Sequence, residues 1–325
     1  MPDYETILKF AKPDELDITS KTMQAHQKCA SGNEKILYYL AKRFRIPKSI
    51  EHLVYLSQIS QMECVRDATE HWRANMHRCY GSLFWQLNDC WPVNSWASID
   101  YYGRWKATQY EARKFNAPIC LRICDKGAQM SVQAINDTRD TVTKTVIYKV
   151  ISFTGQELDS HKVKVEIAPH SCVAVMGQNY SSFGQEALNS SVMVAEFEGE
   201  DMSRRCALFN LEKNILFMKP SLDISVKAVK GGSIISIKSD VFARFAMVKV
   251  QGVDKYLSDN YFDLLPNVPK SVFVEERTDI SLEDISITTL YDPEPKQSEF
   301  KDNLYKLSVI LKPRNFIQAI GQSLV

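Results

Sequence analysis

The hydrophobic period of this chain changes at Pro118, and that change limits the folds open to it. Before Pro118 the apolar residues recur at intervals of three and four, the repeat of a helix with one buried face; after it they alternate, the repeat of a half-buried strand. Residues 33–44 carry Ile36, Leu37, Tyr39, Leu40 and Phe44. Beyond Ser49, a suitable N-cap, run Leu53, Leu56, Ile59, Met62, Val65, Ala68, Trp72 and Met76. The spacing predicts a long core-facing helix to His77, or two with a kink, flanked by helices at 4–11 and 104–115. Gly81 opens Ser82-Leu83-Phe84-Trp85-Gln86-Leu87, a short apolar run of the kind found in buried strands.

Beyond Pro118, alternating runs at 119–124, 130–136, 142–153, 162–167, 173–176, 192–198 and 204–211 are separated by turn residues. Seven short strands at that spacing predict an immunoglobulin-like β-sandwich. The Cys…Trp…Cys pattern of antibody domains is missing. A second set at 222–229, 233–238, 243–250, 271–276 and 285–291, with Gly231-Gly232 as a tight turn, predicts a second and smaller sandwich. From Pro293 the pattern differs again. Phe300, Leu304, Leu307 and Leu311 fall on one helical face, ended by Pro313.

Charge and composition remove several classes of function. Forty basic and 39 acidic residues leave a net charge of +1, so no basic excess marks a nucleic-acid partner. No run of about 18 apolar residues suggests a membrane span. Met1-Pro2-Asp3-Tyr4-Glu5-Thr6 has neither the basic start nor the apolar core of a signal peptide. Cys120 and Cys124, the only closely spaced pair of eight cysteines, are not a CxxC and share one strand face, which suits packing better than zinc. A reduced compartment, the cytoplasm, is favoured, and three sequons at Asn136, Asn179 and Asn189 would matter only in a secreted protein. His71 and His77 stand six apart and share no helical face for a metal. HExxH, a phosphate-binding glycine loop and a Ser-His-Asp set are all missing. Glu63, Asp67 and Glu70, at helical spacing, read as a solvated face.

All five tryptophans lie between Trp72 and Trp105, and the 220 residues that follow contain none. Four of them fall in the 21 residues from Trp85 to Trp105, beside Asn88, Asp89, Asp100 and Tyr101-Tyr102. Sugar rings present C–H patches that pack on aromatic faces while amides and carboxylates hold the hydroxyls, so this mixture suits a carbohydrate site. Aromatic clusters more often serve packing. Residue types alone leave both readings open.

The order of those residues is more specific. Gly81-Ser-Leu-Phe-Trp-Gln-Leu-Asn-Asp-Cys-Trp-Pro-Val-Asn-Ser-Trp-Ala-Ser-Ile-Asp-Tyr-Tyr-Gly-Arg-Trp-Lys106, continuing to Tyr110-Glu-Ala-Arg-Lys-Phe115, closely resembles the eighth barrel strand and helix of β-mannosidases in glycoside hydrolase family 2. Leu257-Ser-Asp-Asn-Tyr-Phe-Asp-Leu-Leu-Pro266 resembles their last β-sandwich, and Met1-Pro-Asp-Tyr-Glu-Thr-Ile7 the segment after their seventh barrel strand. The resemblance implies a multidomain α/β plus all-β chain. Residues 1–116 would be the C-terminal remnant of a (β/α)₈ barrel. Two immunoglobulin-like β-sandwiches would follow at 117–213 and 214–292, and an atypical tail at 293–325. It also implies retaining hydrolysis of terminal non-reducing β-D-mannose from an oligosaccharide or glycan, without metal or organic cofactor.

On that alignment the acid/base and nucleophile glutamates precede Met1, so the chain is expected to be a fragment, inactive alone and with no catalytic residue of its own. What remains is Trp85, in the position of the indole that walls the −1 subsite. Asn88, Asp89 and Trp91 follow in the loop, to line the pocket or brace it, while Trp72 and Trp105 are assigned to the core. The alternative is a non-catalytic carbohydrate-binding or structural β-sandwich module. Tyr148, Phe153 and Phe197, scattered over the strands, form no aromatic stripe for such a module. Neither a membrane nor a nucleic-acid partner is expected, and nothing fixes an oligomeric state.

Overall fold

The structure, a computed structural model, describes residues 1–254 and 256–295, with Lys301, Asn303, Leu304 and Leu307 as helical positions beyond them. Leu304 and Leu307 are exposed; Phe300 and Leu311, which complete the expected face, lie outside the described residues. The chain divides into two compact units, Met1–Gln61 with Trp85–Lys106 and Asp292–Val325, and Met62–Phe84 with Ala107–Tyr291.

The first unit holds helices α1 (Tyr4–Ile7), α2 (Lys21–Ala25), α3 (Gly32–Arg43) and the start of α4 (Ile50–Ala74). The N-termini of α2 and α4 are capped by serines. The Ser20 hydroxyl accepts from the Met23 amide at 3.2 Å and the Ser49 hydroxyl from the His52 amide at 3.2 Å, satisfying donors the helix leaves open. α4 runs 25 residues without a break. Leu53, Val54, Tyr55, Leu56 and Ile59 are all buried, so this stretch is enclosed on every side rather than on one stripe.

The second unit holds α5 (Ala107–Phe115) and the strands. β1 (Ile119–Lys126), β2 (Gln129–Asn136), β3 (Val142–Ser152), β4 (Glu157–Ile167), β5 (Ser171–Asn179), β6 (Ser191–Phe197) and β7 (Glu200–Leu208) pair antiparallel in two sheets, ordered β1-β2-β5 and β4-β3-β6-β7. Their shared core includes Leu121, Val132, Ala134, Val146, Val150, Met193 and Phe197. On β3, buried Val146, Tyr148 and Val150 alternate with more exposed Ile147 and Lys149, so a register slip of one residue would reverse its faces. Asn136 ends β2 and is buried. Its amide nitrogen donates to the carbonyls of Asp140 (2.8 Å), Ile167 (3.0 Å) and Ala168 (3.1 Å), and its Oδ1 accepts from the Thr138 amide at 2.9 Å.

A second antiparallel set comprises β8 (Leu222–Val229), β9 (Gly232–Ser239), β10 (Ala243–Val250), β11 (Phe262–Leu264), β12 (Lys270–Glu275) and β13 (Ile285–Thr288), in sheets ordered β12-β9-β8 and β11-β10-β13. Ile235, Ile237, Ala246, Val248, Leu264, Val272 and Val274 fill the space between them. The edge strand β8 sets Asp223, Ser225 and Lys227 toward water, which blunts it against stray pairing. The turn into β9 needs both glycines. Gly231 has φ +86, and a Cβ on Gly232 would collide with the Val274 carbonyl oxygen and lie 2.9 Å from the Phe273 ring.

Three expectations are corrected. Residues 82–87 are neither buried nor a strand: Leu83 is 100% exposed, and among the described residues no neighbouring strand offers this run a ladder. Trp72 is exposed rather than core, because it sits on the open side of the last turn of α4, and Trp105 is only half-buried. The acidic face of α4 is solvated only at Asp67. Glu63 and Glu70 are 1% and 3% exposed, because Arg66 on the same helix and arginines on two strands supply their counter-charges. Arg244 on β10 donates to Glu63 at 3.1 Å and to Asp263 at 3.3 Å, and stands 3.8 Å from Glu212. Arg205 on β7 donates to Glu70 at 2.9 Å and stands 3.8 Å from Glu111 on α5. Asp259 is shared by Lys114 at 3.3 Å and Lys270 at 2.9 Å.

Breaking one side of such a pair strands a charge in the interior. Arg205→Met is therefore expected to lower stability by about 3–5 kcal/mol, and Glu70→Leu placed on top of it to recover much of that loss. Urea-unfolding midpoints of the two variants against wild type measure both; a double variant no more stable than the single one would contradict the pairing.

Candidate functional site

The stretch from Trp85 to Lys106 folds back on itself with little regular structure, and its own backbone supplies the bonds that hold it. Ser98 N donates to the Gln86 carbonyl at 3.0 Å and Ile99 N to that of Leu87 at 2.8 Å, while Lys106 N returns to the Ser98 carbonyl at 3.0 Å. Asn88 bridges Ile99 in parallel, and Ile99 bridges Trp105 in antiparallel sense. The Trp85–Gln86 peptide bond is cis. A turn at Asp100–Gly103 closes the far end. The Asp100 carboxylate accepts from the amides of Tyr102 and Arg104, each at 3.0 Å, and from the Thr6 hydroxyl at 2.5 Å; Gly103 takes φ +85 there.

The four residues expected to meet substrate are placed differently. Trp85 is 74% exposed, and Asn88 is exposed beside it in sequence. Asp89 is turned inward and 6% exposed. Its Oδ1 accepts from the Ser95 hydroxyl at 2.6 Å and from the Gln86 side-chain amide at 3.5 Å, and its Oδ2 is buried without a hydrogen bond among the described residues. Trp91 is half-buried as the third plate of a stack: the His26 ring lies 3.9 Å from that of Phe10 and 4.9 Å from that of Trp91. His26 Nδ1 meets the Pro92 carbonyl at 2.6 Å, and Lys28 Nζ lies 4.8 Å over the Trp91 ring.

Three further aromatics, Trp96, Tyr101 and Tyr102, face water on the same stretch. Below the loop is a side chain that residue type alone did not bring forward. Lys106 is completely buried, and its ammonium donates to the Ser95 carbonyl at 3.4 Å. Burial pulls its pKa down to about 8, against the opposing pull of Asp89, Asp100 and Asp3. In the sequence Lys106 only ends the tryptophan-rich motif; nothing in its spacing announced a buried cation.

Several known proteins are similar to this chain. The model of a Mannosidase Ig/CBM-like domain matches residues 128–214, and that of an Ig-fold domain of mannosidases matches 217–293. The β-mannosidase of Capra hircus is 32% identical over 131 residues, which are 36% of this chain and 15% of that protein. β-Mannosidase B of Thermothelomyces thermophilus is 26% identical over 280 residues, 76% of this chain and 32% of that one. The crystal structure of β-D-mannosidase from Dictyoglomus thermophilum superposes with a TM-score of 0.79 at 26% identity, over 89% of this chain and 36% of its own. The exo-chitosanase of Amycolatopsis orientalis shares the fold, with a TM-score of 0.68 at 18% identity. The chain thus spans about a third or less of the β-mannosidases it matches, and it is similar to their C-terminal region: immunoglobulin-like sandwiches after the end of a barrel.

Exposure sets an expected contrast. Trp85→Ala removes an indole that already sits in water and should change stability by less than about 1 kcal/mol. Phe115→Ala empties a fully buried site and should cost about 3–5 kcal/mol. Thermal and urea unfolding of both variants read the difference directly.

Proposed function

We propose that this chain is the C-terminal portion of a retaining β-mannosidase and that segment 85–91 supplies the apolar floor of its sugar subsite. The observation that carries the reading is Trp85. Its indole stays in water while the backbone of the next two residues is fixed by Ser98 and Ile99. A pre-positioned aromatic face loses little freedom when a pyranose packs its C–H patch against it. Asn88, exposed three residues on, offers an amide to a sugar hydroxyl. Asp89 and Trp91, turned inward, are assigned to bracing the loop.

In this reading residues 1–116 are the end of a barrel, and two sandwiches follow it in the chain at 117–213 and 214–292. Cleavage requires two carboxyl groups about 5–5.5 Å apart. One attacks the anomeric carbon, forming a glycosyl ester as the aglycone oxygen departs. The other protonates that oxygen and then takes a proton from the water that hydrolyses the ester. Both are assigned to polypeptide that precedes the matched region in the relatives. The substrate is a terminal β-D-mannose on an oligosaccharide or glycan.

The chain alone is therefore expected to release no p-nitrophenol from p-nitrophenyl β-D-mannoside above an enzyme-free blank; turnover in a preparation free of host glycosidases would overturn the assignment of the carboxyl groups. In a protein that joins this chain to the remainder of the barrel, Trp85→Ala should lower kcat/KM for the mannoside ten- to a thousand-fold, or about 1.4–4 kcal/mol. Unchanged kinetics would end the platform reading.

A further inference from the structure

Lys106 and Asp89 are charged groups in the interior of one small loop, and neither belongs to an ordinary surface pair. The position of Lys106 is fully enclosed, where a lone ammonium is not tolerated. The groups that face it are Asp89, Asp100, Asp3 and the Met1 amine. Asp100 is already committed to Thr6 and to the amides of Tyr102 and Arg104. Asp89 is bonded only through Oδ1: its Oδ2 has no hydrogen bond among the described residues and faces the Lys106 charge through space. Ser95 joins the two, its carbonyl accepting from Lys106 and its hydroxyl donating to Asp89. The same hydroxyl accepts from the Ala97 amide at 3.1 Å, just before the residues that bond Gln86 and Leu87.

The structure assigns Lys106 a positioning role: through Ser95 and Asp89 its ammonium clamps the 88–98 loop against the backbone that carries Trp85. The assignment deepens the platform reading and rests on it for its functional meaning, but the clamp itself is a property of this chain. It makes Asp89 a strut rather than a sugar contact. If Lys106 loses its proton, the Asp89 carboxylate is left in the interior without a cation. It must then move toward water, which breaks the link through Ser95.

The tryptophans report on this loop, because Trp85, Trp91 and Trp96 lie in or beside it and none follows Trp105. The test is the tryptophan emission of the full chain from pH 6.5 to 10. Wild type should show a shift to longer wavelength with a midpoint near pH 8, where burial places the Lys106 titration. Lys106→Arg keeps its charge throughout that range and should show no transition there. Asp89→Asn removes an acid that holds the proton on Lys106, so its midpoint should fall below that of wild type. Lys106→Met should expose the loop to proteolysis already at pH 7; should that variant fail to fold, Lys106→Arg still decides. A wild-type emission that stays constant over the range, or a Lys106→Arg chain that titrates like wild type, would overturn the clamp. Failure of the platform reading would appear instead as unchanged mannoside kinetics in Trp85→Ala and would leave this titration as it is.

Discussion

A guanidinium can be taken out of water only where carboxylates go with it, and Arg205 and Arg244 impose that condition on their whole surroundings. Each is buried among acids from elements far apart in sequence: Glu70 lies 135 residues from Arg205, and Glu63 lies 181 from Arg244. The second half of α4 must therefore arrive with Glu63 and Glu70 aimed at β10 and β7, and α5 must bring Glu111 and Lys114 alongside. A helix rotated by one residue would leave several charges unpaired at once. Hydrophobic contact alone tolerates such slips, whereas charge pairing in a dry interior does not. Thiols beside the network feel the same burial. Cys206 is pushed well above its ordinary range by burial and by Asp263, and Cys120 to about 11, so both stay protonated and behave as small apolar groups.

Much of the architecture was legible in the sequence because strands with one dry face must alternate. The runs expected at 222–229 and 243–250 are β8 and β10 to the residue, and the first sandwich follows its seven predicted strands within a few positions. β11 was missed because three residues, Phe262–Leu264, are too few to establish a period. Residues 82–87 misled for the opposite reason: a short apolar run looks the same whether a neighbour covers it or water does. The burial of Glu63 and Glu70 could not be read from α4 alone, since, beside Arg66 within the helix, their partners Arg205 and Arg244 come from strands more than a hundred residues later.

The candidate site was legible as a place and not as an arrangement. The concentration of tryptophan between Trp72 and Trp105 marked the segment, and the order of residues around Trp85 supplied the resemblance. Which side chains point outward is decided by partners that no local pattern encodes. Asn88 and Asp89 are adjacent and chemically alike, yet one faces water and the other is drawn inward by Ser95 and by the charge of Lys106. Trp91 looks like Trp85 in sequence, but Phe10 and His26, from the start of the chain, stack it in place.

Asn136 shows how a sequence motif and the geometry around it can compete for the same atom. Its Asn-Asp-Thr signal is the one an oligosaccharyltransferase reads, and the nitrogen that enzyme would glycosylate is the nitrogen that ties three carbonyls together at the end of β2. A glycan there would have to be attached before the first sandwich closed and would then prevent it from closing. Asn179, at the exposed end of β5, is under no such constraint, its Oδ1 merely accepting from Ser181 in a surface turn. Passage of this polypeptide through a glycosylating compartment would thus set maturation of the sandwich against modification at Asn136, a conflict that never arises at Asn179.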